Sequence, residues 1–115
     1  MNISPTKAIA AILLFGTAAN AQEQVPVPTD PKANYVIFLQ DVGQGRKALL
    51  VTSIRNGPSG KSVAIREVNC LNGTFRYLGE GDTLEEAMKN VSDRSKMSLL
   101  VKGSISYYIS KAACE

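Results

Sequence analysis

Four carboxylates within seven residues, Glu80, Asp82, Glu85 and Glu86, form the densest group of acid–base side chains in the chain. Paired carboxylates can hydrolyse a glycosidic bond when they stand on opposite sides of it. The same residues also have a plainer explanation. Asp82-Thr83-Leu84-Glu85 resembles a helix capping box, in which a cap residue is followed three positions later by Glu. Glu85 and Glu86 would complement the positive end of the helix dipole, and Glu80 fits an exposed Gly-Glu-Gly turn. A small carboxylate-dependent enzyme using Glu80 or Asp82 is therefore an alternative reading, not the leading one. The chain has no histidine, which removes Ser-His-Asp and Cys-His mechanisms and histidine-based zinc or copper sites. Gly60-Lys61-Ser62 has the ending of a phosphate-binding loop, but the motif needs a glycine five positions before Gly60, where Arg55 stands. No catalytic residue, cofactor or metal is assigned.

Binding chemistry has a different address. Arg46, Lys47, Arg55, Lys61 and Arg66 fall in one stretch with no acid among them. Such a run is either a solvated basic hairpin or a contact for an anionic surface. Tyr107 and Tyr108 point to different sides of a helix or a strand, so one of them is exposed and available to anchor an interface. Arg46, Lys47, Arg55, Lys61 and Tyr107 are the candidate interaction surface. The full chain carries 13 basic and 10 acidic residues, a net of +3. That balance is too mild for a nucleic-acid partner. The expected partner is another macromolecule, a protein or an anionic envelope polymer.

The N-terminus bounds where this chemistry takes place. Lys7, the apolar run Ala8–Gly16 and Ala19-Asn20-Ala21 have the three parts of a cleavable export signal. The run is nine residues long, against about 20 for a spanning helix. Cleavage after Ala21 would leave 94 residues, with no transmembrane segment, periplasmic or secreted. The two cysteines, Cys70 and Cys114, are too few for a zinc tetrad and too far apart for a CxxC motif. In an oxidising compartment they are expected to form one intramolecular disulfide.

The elements that must position these residues read as follows. Gln22–Ala33 contains Pro26, Pro28 and Pro31 in a polar stretch and is expected as a flexible leader. A single domain then spans 34–115. Tyr35–Leu39, Ala48–Arg55 and Ser62–Cys70 have the β-branched and aromatic character of strands. Asn72-Gly73 suits a two-residue hairpin turn into a fourth strand. With Leu71 opposite Thr74, Cys70 would face Phe75 and Val68 would face Tyr77, all on one face. Leu84, Ala87, Met88 and Val91 have helical spacing. Met97–Val101 is either a fifth strand or a loop. Ile105–Ala113 keeps helical spacing through Ile105, Tyr108, Ile109 and Ala112, with a terminal strand as the alternative. Phe38, Phe75 and one of the paired tyrosines are expected in the core. The sum is a small α+β domain: an antiparallel β-meander of about four strands, one or two short C-terminal helices and one disulfide.

The segments Arg66–Leu84 (REVNCLNGTFRYLGEGDTL) and GSISYYISKAAC resemble small exported proteins of unknown function from Gram-negative bacteria. That resemblance implies the compartment and a fold, with no activity and no site residues. The expected function is a small exported, non-enzymatic macromolecule-binding module. An inhibitor of an envelope or host hydrolase, presenting the loop Arg55–Lys61, is the second reading.

Overall fold

A computed structural model describes residues 22–115; the export signal expected over Met1–Ala21 lies outside the described residues. Six antiparallel strands follow one another in chain order: β1 (Glu23–Val25), β2 (Asn34–Asp41), β3 (Leu49–Gly57), β4 (Gly60–Asn69), β5 (Thr74–Gly81) and β6 (Ser98–Leu99). Helix α1 (Leu84–Lys89) lies between β5 and β6, and helix α2 (Ile105–Cys114) ends the chain. The fold is a β-rich α+β meander with two strands more than expected.

Both extra strands are edges. The expected leader is instead part of the domain. Glu23, Gln24 and Val25 pair with Ile37, Val36 and Tyr35, and Val25 and Val27 are buried in the main core. The prolines do not prevent this, because strand β1 ends before Pro26 and an edge strand needs only one side of its backbone paired. Within Met97–Val101, only Ser98 and Leu99 pair, with Phe75 and Thr74. Leu99 remains 73% exposed.

The period-2 alternation of the strands divides the sheet into two faces. One carries Tyr35, Ile37, Val51 and Val68 and is covered by α2 through Ile109 and Ala113. The α2 stripe is turned from the expected one. Ser106, Ile109, Ser110 and Ala113 are buried, whereas Ile105, Tyr108 and Ala112 pack at its border. Two serines of α2 thus face the sheet beside its apolar residues. Phe38 and Phe75 are half-buried, and Tyr35 is the most buried aromatic.

The other face carries Val63 and Ile65, covered by Ala87 of α1. Gly79 and Gly81 explain how α1 fits. A Cβ at Gly79 would stand 2.2 Å from the Ala87 carbonyl oxygen, and one at Gly81 2.5 Å from the Glu86 Cβ. The helix therefore rests on bare backbone, and only the small Ala87 side chain fits beneath it. Leu84, Met88 and Val91, expected on the buried side, splay out and are exposed. The cap also falls one residue later than expected. Thr83 Oγ1 accepts the Glu86 N–H at 3.1 Å, and Glu86 Oε1 accepts the Asp82 N–H at 2.7 Å.

The β4–β5 connection is longer than the two-residue turn expected. Asn69 pairs with Thr74, Val68 with Phe75 and Arg66 with Tyr77. The Asn69 side chain accepts the N–H groups of Leu71 and Asn72, and Gly73 takes a φ of +70°. That side-chain turn stabilises four connecting residues in place of two. The register moves by an even number, so Cys70, Val68, Phe75 and Tyr77 keep the same face as expected. Cys70 and Cys114 are joined by a disulfide, tying the end of α2 to the end of β4.

Candidate functional site

The same parity that puts Val68 and Cys70 beneath α2 puts Arg66 there as well. Its side chain is buried, with the residue only 3% exposed. Nε–H donates to Ser106 Oγ at 3.0 Å, Nη1 to Ser53 Oγ at 2.7 Å and Nη2 to Tyr77 Oη at 3.2 Å. The Tyr77 ring lies against the guanidinium, 4.8 Å from its carbon, and the Tyr77 and Ser106 hydroxyls are 3.0 Å apart. Each element supplies one part of this cradle: β3 gives Ser53, β4 Arg66, β5 Tyr77 and the first turn of α2 Ser106.

All three partners are neutral. The ion pairs among the described residues are Arg55–Asp30, Arg76–Glu67 and Lys89–Glu85, and none includes Arg66. A buried charge ordinarily needs a counter-charge, because its desolvation costs several kcal/mol. An arginine also has five N–H donors. Three are used, leaving one on Nη1 and one on Nη2 without a protein acceptor.

Beside the guanidinium is a recess of about 120 Å³. Its polar walls are Ser53, Arg55, Ser62, Arg66, Tyr77 and Glu80, and Tyr35, Ala64 and Ile105 complete it. Glu80 reaches the Tyr77 face through a bulge: the β4–β5 register shifts between Ile65 and Arg66, which pair with Gly79 and Tyr77, so the two glycines that receive α1 point one way and the carboxylate between them points the other. Register confirms its place, since Glu80 pairs with Ala64, two residues from Arg66 on β4. Asn90 Nδ2 donates to the Glu80 carbonyl at 2.9 Å and fixes the backbone there. The Leu-Gly-Glu-Gly stretch thus docks a helix on one face and places a carboxylate on the other.

Arg55, on the opposite wall, is already paired. The Tyr35 hydroxyl donates to Asp30 Oδ2 at 2.6 Å, and Arg55 Nε–H donates to the same oxygen at 2.8 Å. The hydrogen bond from Arg55, then that from Tyr35, holds the Asp30 carboxyl below its ordinary pKa. Burial, reinforced by the bond to Asp30, pushes the Tyr35 hydroxyl up to about 12. The hydrogen bond to Asp30 raises the Arg55 guanidinium further. This latch fastens the segment 26–33 to the domain and neutralises Arg55 locally, leaving Arg66 as the recess's unmatched cation.

The residues of the expected interaction surface are not brought together. Arg46 and Lys47 lie in a 3-10 turn (Gly45–Lys47) before β3, where Arg46 donates to the Cys114 carbonyl and accepts the Cys70 N–H through its own carbonyl. Lys61 pairs with Asn56 at the far end of the β3–β4 hairpin; Leu49 to Asn56 spans about 23 Å at the usual rise per residue. Arg55 turns into the latch, and Tyr107 is half-buried with its ring edge-on to Tyr108. Gly57 pairs with Gly60, so Arg55–Lys61 forms a tight hairpin rather than an extended loop. The four clustered acids also disperse: Glu80 faces the recess, Asp82 precedes α1, Glu86 caps it and Glu85 pairs with Lys89 at 3.9 Å. Among the described residues, no three His, Cys, Asp or Glu side chains gather as a metal site, and no helix is long and apolar enough to cross a membrane.

Arg66, Ser53 and Ser106 were not singled out from sequence. The signal for Arg66 was nonetheless present: an arginine two residues before Val68 must share its face. Ser106 carried no such signal, since it lies one position off the helical stripe the apolar residues suggest. The chain matches no family model, no curated protein and no solved structure.

Proposed function

We propose that the protein is an exported, non-enzymatic module that binds another macromolecule, a protein or an anionic polymer of the envelope, through the recess at Arg66. One observation carries this reading: a guanidinium buried to 3% exposure is held only by hydroxyls, lines a recess and keeps two N–H groups without a protein acceptor. Burying a charge in this way costs stability unless a counter-charge compensates it. The disulfide supports an oxidising compartment, and the arrangement of hydroxyls around a fixed cation suits recognition more than turnover.

The test is retention on the immobilised, disulfide-bonded protein. Purified anionic polymers and fractionated envelope proteins are passed over the wild type and over Arg66→Lys, which keeps the charge but loses the planar fork. The expected result is at least one macromolecule held by the wild type and released by Arg66→Lys. Equal retention of every candidate by both proteins contradicts the reading.

A further inference from the structure

We infer that the Arg66 recess is a carboxylate site, selective for a singly charged planar anion over phosphate or sulfate, with Glu80 as the rim charge that sets this selectivity. The inference rests on the binding role proposed above and specifies its ligand chemistry. Three features of the recess carry it.

The first is geometry of donors. Arg66 lines the recess and keeps one unused N–H on each terminal nitrogen, and the guanidinium fork is the side-chain group best matched to the two oxygens of a carboxylate. Further donors surround them. Ser53 and Tyr77 line the space and accept bonds inside the cradle; Ser53 keeps its O–H proton to give, and the Tyr77–Ser106 pair keeps one of its two, the other joining the hydroxyls. The Ser62 side chain lines the same space.

The second is charge. Asp30 neutralises Arg55, so Arg66 is the recess cation without an ion pair, while the unpaired Glu80 leaves the lining neutral overall. Glu80 lines the recess without pairing to Arg66. A monoanion satisfies Arg66, whereas a second negative charge would face Glu80 with nothing to balance it. The third is size. A space of about 120 Å³ admits the head of an acid and not a whole sugar or peptide, so the rest of the ligand must extend outwards.

The carboxylate comes from a free small acid or from the end or side groups of a chain, and the test separates the two sources. Arginine Nε–Hε resonances of the disulfide-bonded protein are followed in NMR titrations at constant ionic strength. Probes are acetate, an acidic polysaccharide, a peptide with a free C-terminus and its amidated form, with sulfate and inorganic phosphate as comparators. The Arg66 signal is expected to move saturably with carboxylates, at least about tenfold more tightly than with sulfate, which is about 1.4 kcal/mol. Glu80→Gln is expected to tighten acetate binding by about threefold and to narrow the gap to sulfate, because like-charge repulsion is removed. Saturation by acetate alone assigns a free acid; tighter binding of the polysaccharide or the free-ended peptide assigns a chain-borne group.

Non-saturating shifts, equal affinity for sulfate, or unchanged binding in Arg66→Met would overturn the proposal. If Arg66→Met does not fold, Ser53→Ala and Tyr77→Phe replace it, and acetate affinity unchanged in both overturns it equally. Macromolecular retention that depends on Arg66 while every carboxylate fails would sink this inference and leave the binding role standing. Acetate binding without any retained macromolecule would do the reverse.

Discussion

Gly79→Ala isolates the contact that seats α1 and orients the Glu80 strand. The added Cβ would stand 2.2 Å from the Ala87 carbonyl oxygen and 3.2 Å from Val91 Cγ2. An ordinary carbon–oxygen contact is about 3.3 Å, so the helix must withdraw by roughly 1 Å or the strand must bend. Retained strain of this kind costs about 1–3 kcal/mol. Withdrawal instead uncovers Ala87, Val63 and Ile65, the whole second core cluster, at about 25 cal/mol per Å². Replacing a strand glycine by alanine returns roughly 0.5–1 kcal/mol of backbone entropy. The net expectation is a loss of about 2 kcal/mol, or about 2 M in urea midpoint at an m value near 1 kcal/mol/M. Gly57→Ala is the comparison, because its Cβ meets only the Arg55 guanidinium and not α1; displacing that group costs at most the part-exposed Asp30 pair, about 1 kcal/mol or less. Urea unfolding of both variants, followed by circular dichroism, measures the difference. Amide exchange at Asn90, whose N–H donates to the Glu86 carbonyl, should accelerate in Gly79→Ala alone. A Gly79→Ala midpoint equal to that of Gly57→Ala would refute the reasoning.

Two further outcomes are expected. Reducing Cys70–Cys114 releases a constraint across 44 positions, about 4 kcal/mol by loop entropy. That is about 20 °C in Tm for a domain of this size; a loss below about 5 °C in calorimetry would contradict it. The latch makes stability depend on pH at both extremes. Asp30 has a folded pKa below its ordinary 3.8, so its contribution is present above that value and is lost as pH falls through the folded pKa. Tyr35 has a folded pKa near 12 against 10, so its contribution is complete below pH 10 and disappears as pH rises towards 12. Ultraviolet titration should show a tyrosine ionising near 12 that Tyr35→Phe removes; its absence from the wild type would contradict the latch.

Much of the scaffold was legible because its signals are local. The β-branched and aromatic runs Tyr35–Leu39, Ala48–Arg55 and Ser62–Cys70 mark three strands, and an even register shift leaves the face of Cys70 and Val68 as expected. The pairing of Cys70 with Cys114 follows from count and from the oxidising compartment that the sequence of residues 1–21 leads one to expect. The extra strands were not legible, because β1 and β6 are three and two residues long and owe their state to a neighbour's edge. Proline content indicates a leader only when nothing downstream binds it; here Asp30, 25 positions from Arg55, finds a partner no local rule supplies. The exposure of Leu84, Met88 and Val91 has the same origin, since helical spacing cannot report that Gly79 and Gly81 draw the helix too close for large side chains. The recess needed all of this at once. Its arginine is readable by parity, but its hydroxyl partners come from three other elements, 13, 11 and 40 positions away.

The central claim is that Arg66 lacks a protein counter-charge and takes one from a ligand. A crystal structure of the disulfide-bonded protein grown in acetate tests it most directly. The account predicts a carboxylate in the recess, its oxygens within hydrogen-bond reach of Nη1 and Nη2, with Glu80 at the rim. The Glu80 carboxylate folded onto the guanidinium and filling the recess itself would contradict it.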